Sequence, residues 1–98
     1  MLVRVDGNAV APNQLIILFN PKNFRASINC NTAYADYSMD GDVLIPDRTA
    51  TTEIGCNPAM PLDAPLTRIL ERPMSVALPN SLELILGGAH ELELRRVS

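Results

Sequence analysis

A small α+β domain, mostly β, with one short helix docked on a sheet, is the fold class this sequence predicts. Three observations carry the prediction. Eight prolines, five glycines and many Asn and Asp residues cut the 98-residue chain into short pieces. Several pieces alternate apolar and polar residues with the period of a strand, and only one has helical spacing. A chain of this length holds one domain, residues 1–98, and buries only about two-thirds of its unfolded surface, so its core is thin.

Leu2 to Val5 is read as a short strand, Asp6-Gly7-Asn8 as a turn, and the apolar run Leu15 to Phe19 as a buried strand. Asn20-Pro21-Lys22-Asn23 turns the chain. From Arg25 onward, Ala26, Ile28 and Cys30 alternate with polar residues, which points Cys30 inward. The apolar parity then flips to Ala33, Ala35, Tyr37 and Met39, predicting a bulge or bend at Asn31-Thr32. A three-residue loop Asp40-Gly41-Asp42 sets Met39 against Val43 and Tyr37 against Ile45, with Pro46 ending that strand. Thr-rich Arg48 to Ile54 is a further extended segment leading to Gly55-Cys56.

The helix is expected over Asp63 to Arg72, with Asp63 as N-cap, Pro65 in the first turn, Leu66, Ile69 and Leu70 on one face, and Pro73 as the stop. A helix of about ten residues is not stable alone in water, so its apolar face must dock on the sheet. In the last third, Leu82, Leu84 and Leu86 alternate with Glu83 and Ile85, and Leu92 and Leu94 with Glu91, Glu93 and Arg95. A three-residue Gly87-Gly88-Ala89 loop pairs Leu84 with Leu92 and Leu82 with Leu94, at the cost of opposing Glu83 to Glu93.

The formal charge of -3 and the scatter of Arg4, Arg25, Arg48, Arg68, Arg72, Arg95 and Arg96 argue against nucleic acid as a partner. Arg95 and Arg96, adjacent on a strand, point to opposite faces and make no patch. No apolar run has the length of a membrane span, and Met1 leads into Leu2, Val3 and Arg4 without a signal-peptide pattern.

Cys30 and Cys56 are compatible with a disulfide, a two-thiol redox site, half a metal site or two buried thiols. A disulfide would close a loop of about 26 residues and contribute on the order of 3.5 kcal/mol. With His90 as the sole histidine, a zinc site would have to recruit carboxylates, and no metal is expected. His90 shares a parity with Leu92 and Leu94 and is read as a histidine at the core edge. Asp40-Gly41-Asp42 lacks the rest of a calcium loop, Gly87-Gly88 is a turn rather than a phosphate cradle, and no catalytic residue or cofactor is assigned. Tyr34 and Tyr37 have opposite parity and form no joint stacking platform.

Asn29-Cys30-Asn31, followed by Tyr37, then Asp40-Gly41-Asp42 and Leu44, resembles the core motif of the META domain, the HslJ-like, heat-shock-linked family. That motif is a Gly-Cys-Asn, then a Gly and an aromatic before a turn. It continues with a Thr and, after three residues, a second Cys, matched here by Thr52 and Cys56, and with a helix and two last strands. The resemblance runs from about Asp6-Gly7 to Val97. Asn29 and Ala35 stand where the family has Gly, and no tryptophan opens the domain. The resemblance implies a small, partly open antiparallel β-barrel or strongly curved sheet with the helix across it. It also implies a periplasmic or cell-envelope location, a link to stress, and no established catalysis.

The leading expectation is accordingly a non-catalytic stress or envelope domain that binds a protein or an apolar segment, as a monomer or weak oligomer. The alternatives are a lipocalin-like binder of a small apolar ligand, and a thiol enzyme or redox sensor using Cys30 or Cys56. An exposed groove, an enclosed cavity and an accessible low-pKa thiol, respectively, distinguish the three.

Overall fold

The structure is a computed structural model that describes residues 1–11, 14–52, 54 and 62–96. Among the described residues nine strands and one helix follow in the order β1 (Leu2–Val5), β2 (Asn8–Ala9), β3 (Leu15–Phe19), β4 (Asn23–Ile28), β5 (Asn31–Asp40), β6 (Val43–Thr51), α1 (Asp63–Leu70), β7 (Met74–Asn80), β8 (Glu83–Gly87) and β9 (Leu92–Arg95). All the strands join one antiparallel sheet in the order β2-β1-β9-β8-β7-β6-β5-β4-β3, so the first long strand lies beside the last. Among the described residues the sheet is not closed: β2 and β3 are its edges. It is curled nonetheless, because Ile17 and Phe19 of β3 line one cavity together with Leu84 of β8 and Leu94 of β9. The predicted mostly-β, partly open sheet with one helix is the observed fold.

The concave face holds the core. Leu2, Leu15, Phe24, Ala26, Ile28, Ala33, Ala35, Leu44, Met74, Leu86, Leu92 and Leu94 are buried there with Leu66 and Leu70 of α1. Each such leucine contributes roughly 1.5–3 kcal/mol. The helix closes one end of the curl with Leu66 and Leu70, while Ile69 is half-buried. Asp63 is not the N-cap: Leu62 holds that position without a side-chain bond, and Asp63 is the first helical residue. Its carboxylate is engaged by two side-chain amides instead.

Several sequence expectations shift by a residue, each for a local reason. The parity flip after Cys30 is a chain reversal rather than a bulge: Ile28 pairs with Asn31, leaving Asn29-Cys30 as the turn, with Asn29 in the left-handed region at φ 53°. Asparagine tolerates that region better than most side chains. Cys30 is therefore exposed at a turn and does not point inward.

The β5–β6 loop has two residues, Gly41-Asp42, because Gly41 adopts φ 60°. Met39 consequently faces Leu44, and Tyr37 faces Pro46, which makes Leu44 the inward residue in place of Val43 and Ile45. Pro46 does not end the strand. Among the described residues β7 pairs with β6 only at Val43 and Leu44, so past that point β6 has a free side where a missing N–H is tolerated. The extra residue in β6 sits near Arg48, at φ 50°, where the β5–β6 register shifts.

In the last hairpin Leu86 pairs with Leu92 and Leu84 with Leu94, which opposes Glu83 to Arg95 rather than to Glu93. The four leucines stay on one face, an opposite-charge pair replaces a like-charge one, and Leu82 is left exposed. His90 falls in the longer loop this register creates and is half-exposed, not at the core edge. Leu15–Phe19 is an edge strand whose Leu18 and Phe19 are exposed, where a buried strand was expected.

Candidate functional site

Asn29, Asn31 and Thr52 lie together at the helix end of the curl. Asn29 donates from Nδ2 to Asp63 Oδ2 at 3.1 Å, and Gln14 donates from Nε2 to Asp63 Oδ1 at 2.9 Å. Gln14 is a buried polar residue beside the core, so Asp63 satisfies an amide that burial would otherwise penalise. Next to it Asn31 donates to the Ile54 carbonyl at 3.0 Å, while its own Oδ1 accepts from Ile54 N–H at 2.7 Å and from Thr52 Oγ1 at 3.0 Å. The Thr52 hydroxyl oxygen in turn accepts from Thr32 N–H at 2.9 Å. These side chains act as a clasp that fastens the chain after β6 to the start of β5.

Tyr37 and Gly41 are elsewhere, at the other end of the molecule. Cys30 Sγ lies 3.6 Å from the Ile54 carbonyl oxygen, and Cys30 is not a free thiol. Cys56 lies outside the described residues. His90 Nδ1 is 2.7 Å from Asp6 Oδ2, and Asp6 Oδ1 accepts from Glu91 N–H at 2.8 Å. Those bonds, the backbone one first, hold the Asp6 carboxyl below its ordinary value near 3.8. The pair borders a groove of about 570 Å³ between α1 and the β8–β9 loop, walled by Leu62, Leu66, Ile69 and Met74. Among the described residues no cluster of His, Cys, Asp and Glu could hold a metal ion.

A family model described as META domain matches residues 1–98, the whole chain. The chain belongs to the META domain family. No curated protein and no solved structure matches it. In this META domain the asparagines of the Asn-Cys-Asn motif act as a clasp: their amides bond to Asp63, Thr52 and Ile54.

At the end opposite the clasp, the β3–β4, β5–β6 and β7–β8 hairpins meet at an open mouth. Phe19, Tyr37, Met39, Leu44, Val76, Leu78, Leu84 and Leu86 line a groove of about 240 Å³ there. Its rim is apolar and wet at once: Leu78 is 70% exposed, Met39 48% and Phe19 41%. Phe19, Phe24 and Tyr37 form a ring cluster with centroids 6.0–6.3 Å apart. The Tyr37 hydroxyl donates to the Asn20 carbonyl and so fixes the ring beside the β3–β4 tip.

Of the motif residues singled out from sequence, Tyr37 and Leu44 reach this mouth, and Met39, Leu84 and Leu86, read only as strand residues, line it as well. Phe19 was assigned to a buried strand, and Leu78 belongs to β7, where prolines at 73 and 79 obscured the strand pattern. A continuous seam extends from the mouth between β3 and the β8–β9 hairpin, enclosing about 270 Å³ lined by Leu18, Phe19, Leu78, Leu82, Arg95 and Arg96. The two arginines do share a site, because β9 ends at Arg95 and Arg96 leaves the strand to donate its N–H to the Leu82 carbonyl.

Proposed function

We propose that this META domain is a non-catalytic interaction module of the cell envelope, linked to stress, whose apolar mouth binds an apolar segment of another protein. The observation that carries the reading is the rim of Phe19, Met39 and Leu78, large apolar side chains left in water around a groove. Leu18, Phe19, Leu78 and Leu82 around these grooves are exposed, so the grooves are open to water rather than enclosed, which favours a protein segment over an enclosed apolar ligand. A resting thiol enzyme is disfavoured because Cys30 is not a free thiol.

The same reading pairs Cys30 with Cys56 in a disulfide. The Ile54 carbonyl oxygen is 3.6 Å from Cys30 Sγ, and two residues of chain reach about 7 Å, enough to bring position 56 to that sulfur. A disulfide fits an oxidising compartment, in keeping with an envelope location.

Met39 and Leu78 are exposed, so charging them leaves stability within about 0.5 kcal/mol while wetting the mouth. A labelled peptide of alternating valine and threonine, titrated by fluorescence anisotropy, is expected to bind saturably. Its affinity is expected to fall at least about tenfold, or about 1.4 kcal/mol, in the Met39→Asp/Leu78→Asp variant at unchanged melting temperature. Equal binding by the two proteins, or none by either, would overturn the proposal.

A further inference from the structure

We propose that the occupant of this surface is an extended, acid-flanked segment of a partner protein that adds as a strand to the open edge of β3; the inference rests on the mouth reading above. The backbone pairing shows which groups are available. Asn20 N–H donates to the Asn23 carbonyl and Asn29 N–H to the Gln14 carbonyl, which makes 20:23 and 14:29 hydrogen-bonded pairs. Antiparallel pairs alternate, so 16:27 and 18:25 are bonded too, and the N–H and C=O groups of Leu15, Ile17 and Phe19 face away from β4. Among the described residues no strand pairs with that side.

Nothing in β3 protects this edge. Leu15-Ile16-Ile17-Leu18-Phe19 carries no charge and no proline, and its pairing with β4 is regular throughout, without a bulge. Natural edge strands are normally blunted by one of these devices, and an unblunted apolar edge is a template for strand addition. The seam beside it supplies a place for the side chains of an added strand.

Charge then selects the partner. Arg95 and Arg96 line the seam, and neither makes an ion pair with a described residue, although the chain as a whole carries a formal charge of -3. Among the described residues Glu83 is the one acid lining the seam, so the side chains described there carry one net positive charge. A segment with carboxylates flanking its apolar residues complements that field, and a lysine-flanked one opposes it.

The test uses the valine–threonine peptide in two forms, with aspartates or with lysines at both ends, against wild type, Ile17→Val and Ile17→Pro. Proline at 17 removes an N–H that points to the open edge and leaves the β3–β4 hydrogen bonds in place, while valine keeps the N–H. Circular dichroism melts establish that both variants fold. The aspartate form is expected to bind wild type and Ile17→Val within about threefold of each other. It is expected to bind Ile17→Pro at least about tenfold more weakly, and the lysine form to bind wild type more weakly by a margin that narrows in high salt.

If Ile17→Pro binds as wild type does while Met39→Asp/Leu78→Asp does not, the mouth stands and the strand addition is wrong. If both variants bind as wild type does, the mouth reading itself falls. Equal affinity for the two peptide forms overturns the acidic partner. A dimer seen by sedimentation that Ile17→Pro dissolves would overturn it too, by giving the edge to a second copy of this chain.

Discussion

Asp63 shows how far a single residue's role can depart from its local sequence context. Its position before a helical stretch marks an N-cap, yet it stands one residue inside α1 and receives Gln14 and Asn29 from two other elements. No spacing rule connects positions 14, 29 and 63. The β3–β4 pairing sets Gln14 beside Asn29, and the docking of α1 brings Asp63 to both. Replacing Asp63 with Ala strands the buried Gln14 amide and removes the Asn29 bond, so a loss of about 2–4 kcal/mol is expected in urea unfolding. Asp63→Asn, which keeps one acceptor but sets an NH₂ group against the second donor, should fall between the two proteins. An Asp63→Ala variant as stable as wild type would show that the amides do not depend on this carboxylate.

At the scale of elements, the sequence located hairpins more reliably than it set their register. The turn at Gly41 and the leucine alternation near the C-terminus were legible because glycine and period-two patterning are local signals. Register was not, since it depends on how many residues the turn consumes. Gly41 allows a two-residue loop, whereas the last hairpin has a longer loop tied down by Asp6.

That tie runs both ways across β1 and β9: Asp6 N–H donates to the Glu91 carbonyl at 2.8 Å, and the Asp6 carboxylate accepts from Glu91 N–H and meets His90. The folded-state pKa of Asp6 is lowered, so its contribution is complete above the unfolded value and is lost as pH falls through the folded one. Asn tolerates the φ of 50° at this position, so Asp6→Asn removes the charge without straining the turn. Asp6→Asn is expected to melt below wild type at neutral pH, and the gap to close as pH drops below 3.8. Melting curves from neutral pH down into that acid range measure it, and a gap independent of pH would exclude the carboxylate as the source.

For the whole molecule, the open curl places its restraints unevenly. One end is filled by α1, the Asp63 amides and the Asn31–Thr52–Ile54 clasp; the other is a ring of hairpin tips with apolar side chains in water. From sequence the two-cysteine frame was legible as a motif but not in its place, since the strand alternation pointed Cys30 inward rather than to the turn at the fastened end. The second end was invisible, because an apolar run such as Leu15–Phe19 reads the same whether its strand is central or at an edge.

A Cys30–Cys56 disulfide would sit at the fastened end and close the segment containing β5 and β6, the middle of the sheet. A loop of about 26 residues restricts the unfolded chain by on the order of 3.5 kcal/mol, which for a domain of this size corresponds to a fall of roughly 15–25 °C in melting temperature on reduction. The mouth lies at the far end, so peptide binding well below the reduced melting point should change little. Alkylation of the native protein followed by mass measurement is expected to leave both cysteines unmodified without reductant and to label both after it. Complete labelling of the untreated protein, or a melting temperature indifferent to reductant, would remove the staple from the account of this fold.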